Sequence, residues 1–250
     1  MRELLSDAWA VTLRDLKKST TLWKQLLFAL ATLIILILIS KGLGRIINLG
    51  GGRSYDSFFI IGMLTFMIGV AAMSIGTDLV ADRKGFMKLL LVAPISRVSI
   101  ALGKLIFVLI YSVRNYFLMF LLFLLYLSHI TALKVLFLFF IIILITTLFV
   151  GIGFTVSAFV TKPKTADTVF QYVSIIFLFA SGILYPIDVF PAAVRWVFYL
   201  NPMTYSAEAI RYIINSESAL PAGVVFLALI ILTCFFLVFG VYYYDKKQRG

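Results

Sequence analysis

Charge is the scarcest ingredient of this 250-residue sequence. Only 13% of the residues are Asp, Glu, Lys or Arg, against 62% hydrophobic, and the mean hydropathy is +1.08. A soluble domain is roughly a quarter charged and about half apolar, so an ordinary soluble fold is excluded. Cysteine is almost absent. Cys234 stands alone in an apolar run, which rules out a disulfide framework within the chain. The single histidine, His129, sits at the edge of another apolar run and reads as a solvated polar residue. One histidine and one cysteine cannot build H-E-x-x-H or a usual zinc set. No G-x-x-x-x-G-K-[ST] phosphate loop occurs, so the chain is not expected to hold ATP or to be an enzyme in its own right.

What the sequence has instead is long apolar runs. On the requirement of about 20 mostly apolar residues, six predicted spans emerge at roughly 24–43, 57–77, 104–127, 135–160, 168–186 and 222–244. Open β-structure would leave backbone groups unsatisfied in a bilayer. Barrel strands would show about 10 residues of alternation rather than continuous runs. The expected fold class is an all-α membrane protein with six transmembrane helices, preceded by an amphipathic interfacial helix.

Six spans put both termini on one side. Fifteen of the 22 Lys and Arg residues then fall on the terminal side and six on the other, with Arg114 inside a span. The positive-inside rule assigns the terminal side to the cytoplasm, which places the chain in the cell membrane with both ends inside. The net charge of +11 is therefore topological, and nucleic acid is not an expected partner. The first 24 residues do not read as a cleaved signal, because acidic residues and Trp9 interrupt them and no small-residue cleavage site follows.

Residues 1–23 carry Leu5, Trp9, Leu13 and Leu16 at helical spacing with basic residues on other faces, a pattern for a helix lying in the cytoplasmic interface. The remaining chain, 24–250, is one transmembrane domain. Its fourth run has 26 uncharged residues, Val135 to Val160, which predicts tilt or a broken helix. Gly151 and Gly153 there read as packing glycines. Between Pro186 and Pro221 lies a segment that is outside by topology yet apolar. "FPAAVRWVFYLNP" and "MTYSAEAIRYII" predict two short amphipathic helices broken at Asn201-Pro202. Too short to span, they read as a re-entrant or interfacial hairpin over about 186–221. The hairpin either caps a pathway or packs on neighbouring spans.

Polar groups within the spans are few. No acid is central in one; Asp78 lies at an inner end, and Asp56, Asp188, Glu208 and Glu217 lie outside. Ion-coupled carriers place such groups near the midplane, so that class is disfavoured. Arg114 lies ten residues past Lys104, about 15 Å deeper along a helix. It either meets an anionic group or a partner helix, or is a structural arginine bonded to carbonyls.

Against this background, "DRKGFMKLLLVAPISRVSIALGK" from Asp82 to Lys104 carries five cations between two apolar runs. Gly85 admits a turn, Phe86, Leu89 and Leu90 share one face of a short helix, and Pro94 ends it. The result is an apolar knob flanked by Arg83, Lys84 and Lys88, suited to a groove with an acidic rim. This succession, with Ala93-Pro94-Ile95-Ser96 and Gly103-Lys104, resembles the second-to-third-span loop of ABC-2 type transporter permeases. "SGILYPIDVFPAAVRWVFYLNPMTYSAEAIR" similarly resembles that family's outer hairpin, with Tyr185, Pro186, Pro191, Pro202, Tyr205, Glu208 and Arg211 in order.

The resemblance implies a permease subunit of an ATP-driven exporter that moves a hydrophobic or amphipathic substrate, such as a drug-like molecule, lipid or glycolipid. It implies a coupling segment over about 82–100 that docks on a separate ATPase subunit, present in two copies, which would hold the ATP and Mg. A second permease half, most simply an identical one, completes the assembly. Lys84 and Lys88 stand where relatives commonly carry glutamates. A polysaccharide exporter is the alternative within the family, and a non-transporting membrane scaffold the alternative outside it.

Overall fold

The computed structural model describes residues 2–18, 22–47, 55–84, 97–117, 120–121, 124, 131–216 and 218–249, and every regular element among them is helical. In chain order these are α1 (Arg2–Lys18), α2 (Leu22–Gly44), α3 (Tyr55–Met73), α4 (Ile75–Lys84) and α5 (Arg97–Ser112), which runs on into a π turn (Val113–Phe117). Then come α6 (Ala132–Phe159), α7 (Pro163–Phe179), a 3-10 turn (Ile187–Val189), α8 (Ala192–Tyr199), α9 (Pro202–Asn215) and α10 (Ala222–Arg249).

The axis of the molecule is α6. A helix that is apolar all round belongs inside a bundle or a membrane, and α6 packs against α3, α4, α5, α9 and α10. Thr131 starts it, its hydroxyl accepting from the Lys134 amide. Val160 stops it in extended geometry, and Pro163 opens the next helix. All 28 residues form one unbroken helix, so the break that its length suggested does not occur. At about 1.5 Å per residue it reaches roughly 42 Å, more than the ~30 Å hydrocarbon layer requires.

Glycines let the neighbours of α6 approach to backbone contact. A Cβ on Gly151 would lie 2.7 Å from the Leu237 amide nitrogen of α10, and one on Gly240 would lie 2.6 Å from the Gly151 carbonyl. On another side, a Cβ on Gly153 would lie 2.7 Å from the Met73 carbonyl, and one on Gly76 would lie 2.6 Å from the Gly153 carbonyl. Gly151 and Gly153 are thus packing glycines, each facing a different neighbour, as membrane helices use small residues.

Three predicted spans differ in detail. The second is interrupted at Ser74, where the hydroxyl bonds the Ala71 carbonyl and the chain restarts as α4. The third begins earlier, at Arg97, so Lys104 lies within α5 rather than before it. The fifth begins at Pro163 and stops at Phe179, and residues 180–186 form turns instead. The stop has a backbone cause, since Gly182 takes φ +66°, a conformation that glycine adopts without steric cost.

Among the described residues, three helical stretches are long and apolar enough to cross a membrane: Tyr55–Ala81, Ala132–Phe159 and Ala222–Tyr244. Leu30–Gly44 and Leu102–Tyr111 are shorter apolar helices. Large apolar side chains cover the outside, including Ile34, Leu38, Phe137, Ile176, Ile231 and Phe235. This exceeds the scattered apolar exposure of a soluble monomer.

Candidate functional site

The site is built around α9, whose residues Pro202, Met203, Thr204, Ser206, Ala207, Glu208, Ala209, Ile210, Arg211 and Ile214 are all buried. Helix α9 starts at Asn201, whose Oδ1 accepts from the Met203 amide at 2.9 Å, an N-cap that satisfies an otherwise unpaired donor. Pro202 occupies the first turn, where its missing N–H costs nothing. The same Asn201 donates its Nδ2 to the Phe177 carbonyl at 3.1 Å, tying the start of α9 to the last turn of α7.

The preceding helix, α8, is fastened at two points. Thr204 donates to the Phe198 carbonyl at 2.6 Å, and the Tyr205 hydroxyl donates to the Tyr199 carbonyl at 2.7 Å. Burial raises the Tyr205 phenol above its ordinary value, with Tyr199 adding to the rise, so the hydroxyl remains a donor. Arg195 closes the other end of α8, its Nε on the Phe190 carbonyl at 2.8 Å and its Nη2 on the Asp188 carbonyl at 2.9 Å.

Glu208 and Arg211 form the centre. They lie one turn apart on α9, 2% and 4% exposed, and Arg211 Nη1 meets Glu208 Oε1 at 2.6 Å. The other carboxylate oxygen accepts from the Ala219 amide at 2.5 Å, in the link to α10. Arg211 Nη2 donates to the Phe58 carbonyl at 3.3 Å and the Ile183 carbonyl at 3.4 Å. The guanidinium also lies over the Phe58 ring, 3.6 Å from its centroid, a favourable cation–π position. One ion pair thereby joins α9, α3, the turn after α7 and the link to α10. Gly62 makes the arrangement fit, because a Cβ there would lie 3.0 Å from Arg211 Nη2 and 2.9 Å from Ile183 Cγ2.

Two further bonds hold the periphery. The Tyr55 hydroxyl donates to the Leu184 carbonyl at 3.3 Å. Lys134 reaches from the first turn of α6 to the Ile214 carbonyl at 2.6 Å, a cation at the end of α9 where the helix dipole favours one. Phe58, Gly62 and Lys134 belong to the site without being expected there from the sequence. The available signals were a lone glycine in the large apolar run from Phe58 to Phe66 and a lone cation just before a long uncharged run.

Of the expected hairpin residues, the structure brings Pro202, Tyr205, Glu208 and Arg211 together on α9. Pro186 and Pro191 precede the 3-10 turn and α8, while Tyr185 is exposed. The hairpin packs against α3, α6, α7 and α10.

A second region adjoins the segment expected from the sequence to couple to an ATPase. Arg83 lies in the last turn of α4; Gly85, Phe86, Leu89, Leu90 and Pro94 lie outside the described residues. The helix that follows them, α5, carries α1 on its side. Thr12 donates from its hydroxyl toward the Ala8 and Gly103 carbonyls, each at 2.9 Å. A Cβ on Gly103 would lie 2.5 Å from the Ala8 carbonyl, so the two backbones touch there. Asp15 sits 2.7 Å from Arg14 Nη2 and 3.8 Å from Lys104 Nζ. Ala8, Val11 and Thr12 are buried in this contact, whereas Trp9 and Leu13 are exposed.

Comparison with known proteins finds a family match that runs across both regions. The family model described as ABC-2 type transporter matches residues 6–215, from within α1 to the end of α9. The chain is 31% identical over 191 residues to a Cyanophora paradoxa protein that carries the name transport permease ycf38, covering 72% of this chain and 63% of that relative. Its Porphyra purpurea namesake is 29% identical over 167 residues, 65% of this chain and 57% of that protein. The aligned part thus spans less than two thirds of the length of these relatives. The chain belongs to the ABC-2 type transporter family.

Proposed function

We propose that this chain is the membrane-spanning permease subunit of an ATP-driven ABC exporter, with a hydrophobic or amphipathic substrate and a separate ATPase as its motor. The observation that carries the proposal is the family match over residues 6–215, which includes both regions described above. In this reading the chain crosses the cell membrane six times with both termini in the cytoplasm. α7 and the third predicted span supplement the three long apolar stretches and α2. The α8–α9 hairpin is re-entrant from the outer side, and the Glu208–Arg211 lock fixes it to the bundle.

The segment over about 82–100 faces the cytoplasm and docks on the ATPase through Phe86, Leu89 and Leu90, with Arg83, Gly85 and Pro94 shaping it. Two copies of the ATPase hold ATP and Mg and serve two copies of this chain. Capture of the tagged chain from its native membrane tests the assignment. An ATPase with a phosphate loop should co-purify, and Leu89→Asp should abolish its retention while the protein still inserts. Truncating a buried anchor at such an interface costs roughly 2 kcal/mol or more. A cytosolic partner that docks without hydrolysing ATP, and no substrate flux, would assign the chain to a scaffold instead.

A further inference from the structure

Arg114 is a charged side chain that neither the hairpin lock nor the α1–α5 contact uses. It sits on the π turn Val113–Phe117 that ends α5, and this turn packs against α2 and α6. Two of its donors, Nε and Nη2, are buried with no hydrogen-bond partner among the described residues. They lie on the same edge of the guanidinium and together form the fork that accepts a carboxylate or phosphate in two parallel bonds. The Tyr111 ring stands beside the cation, its centroid 5.8 Å away, and edge-on Phe117 and Phe139 rings lie farther along, 5.8 Å apart.

A guanidinium edge buried without partners is costly, and the cost grows at membrane depth. A π turn is itself a departure from α geometry that recurs at functional sites.

We infer that Arg114 is a binding site for a single oxyanion group, a phosphate or carboxylate, carried by an amphiphile whose apolar part lies among the helices. The fork supplies charge and two donors, and the Tyr111, Phe117 and Phe139 rings supply an apolar flank. This rests on the permease reading and narrows its substrate class to amphiphiles with an anionic head.

The test uses the full chain in lipid nanodiscs, with bound lipids counted by native mass spectrometry. Nanodiscs offer phosphatidylglycerol against an uncharged galactolipid, and a third arm adds inorganic phosphate. Wild type should retain phosphatidylglycerol with an excess of about tenfold, the weight of one charge-assisted contact. Arg114→Gln should erase that excess, and Arg114→Lys, which keeps the charge but not the fork, should reduce it at least threefold. Competition by inorganic phosphate would identify the oxyanion alone as the recognised group. Its failure to compete would identify the whole lipid.

An excess unchanged in both variants overturns the site. Should Arg114→Gln fail to give monodisperse protein, an unchanged excess in Arg114→Lys does the same. The readout needs no ATPase. Loss of the lipid preference with ATPase capture intact would therefore be the variant's effect, while absence of any ATPase partner would sink the permease reading and leave the lipid result standing.

Discussion

The α8–α9 hairpin and α1 are both amphipathic helical pieces packed on other helices, yet they are held by different physics. The hairpin is tied by side chains to backbone carbonyls of α3, α7 and the turn after α7 and to the Ala219 amide in the link to α10, and its centre is a buried ion pair with each carboxylate oxygen and both terminal guanidinium nitrogens engaged. The α1–α5 contact includes the Thr12 hydroxyl bond to the Gly103 carbonyl, the close approach at Gly103, and an Asp15–Lys104 approach of 3.8 Å. Directional bonds to buried charges fix one geometry, because any shift leaves a charge unpaired. A close contact between small residues tolerates sliding. In the proposed exporter, the hairpin is the static part and α1 with α5 the part free to follow an ATPase.

The largest effect should come from breaking the hairpin lock. Removing one member of a buried pair strands the other and typically costs about 3–5 kcal/mol. Arg211→Ala and Glu208→Ala should each destabilise by that order, read as a lower unfolding temperature and lost monodispersity in detergent. The double variant Glu208→Leu with Arg211→Met should be less damaging than either single change. Equal or additive losses would mean that the pair is not the unit holding the hairpin.

How much of this was readable beforehand follows from the kind of interaction. The hairpin helices and their break were legible because Asn201-Pro202 is a local signal. The partners of Arg211 were not, since Phe58 lies 153 residues away and contributes a carbonyl that any residue would offer. The α1 case is sharper. The apolar stripe of Leu5, Trp9, Leu13 and Leu16 marks an amphipathic helix, yet the docking face is Ala8, Val11 and Thr12, with Trp9 and Leu13 left outside. Where lipid replaces water, the greasiest face has no reason to seek protein. Small and weakly polar residues make the helix contacts, and hydropathy therefore points away from the interface. Helix α7 teaches a similar lesson, with Ala166, Phe170 and Ser174 inside and Ile175, Ile176 and Phe179 outside.

A second perturbation tests the sliding contact. At Gly103→Ala, the new methyl would lie 2.5 Å from the Ala8 carbonyl, closer than real Cβ contacts allow, so α1 must move off α5. Overpacking of this kind costs about 1–3 kcal/mol. Hydrogen exchange should accelerate in α1 while α9 keeps its protection. Equal acceleration in both would mean that the two regions unfold together and differ in name only.

Thr12→Val should do less. The shape is kept, and one hydroxyl bond to the Gly103 carbonyl is lost, worth about 1 kcal/mol. Exchange in α1 should rise by roughly fivefold, the factor corresponding to that energy. Wild-type protection would show that backbone closeness alone holds the helix.

The smallest effect should follow Asp15→Asn. Asp15 is shared between Arg14 at 2.7 Å and Lys104 at 3.8 Å, with side chains 22% and 3% exposed. The closer partner is the more exposed one, so the shorter contact is the one screened by solvent, and partly exposed pairs contribute about 0.2–1 kcal/mol. Screening also gives the contact a signature that the hairpin lacks. Exchange in wild-type α1 should rise with salt, because ions weaken a partly exposed pair, while the buried Glu208–Arg211 pair stays indifferent. Asp15→Asn should flatten the response of α1 and leave α9 untouched. If the variant keeps the wild-type salt dependence, the Asp15 charge has no part in seating α1 on α5.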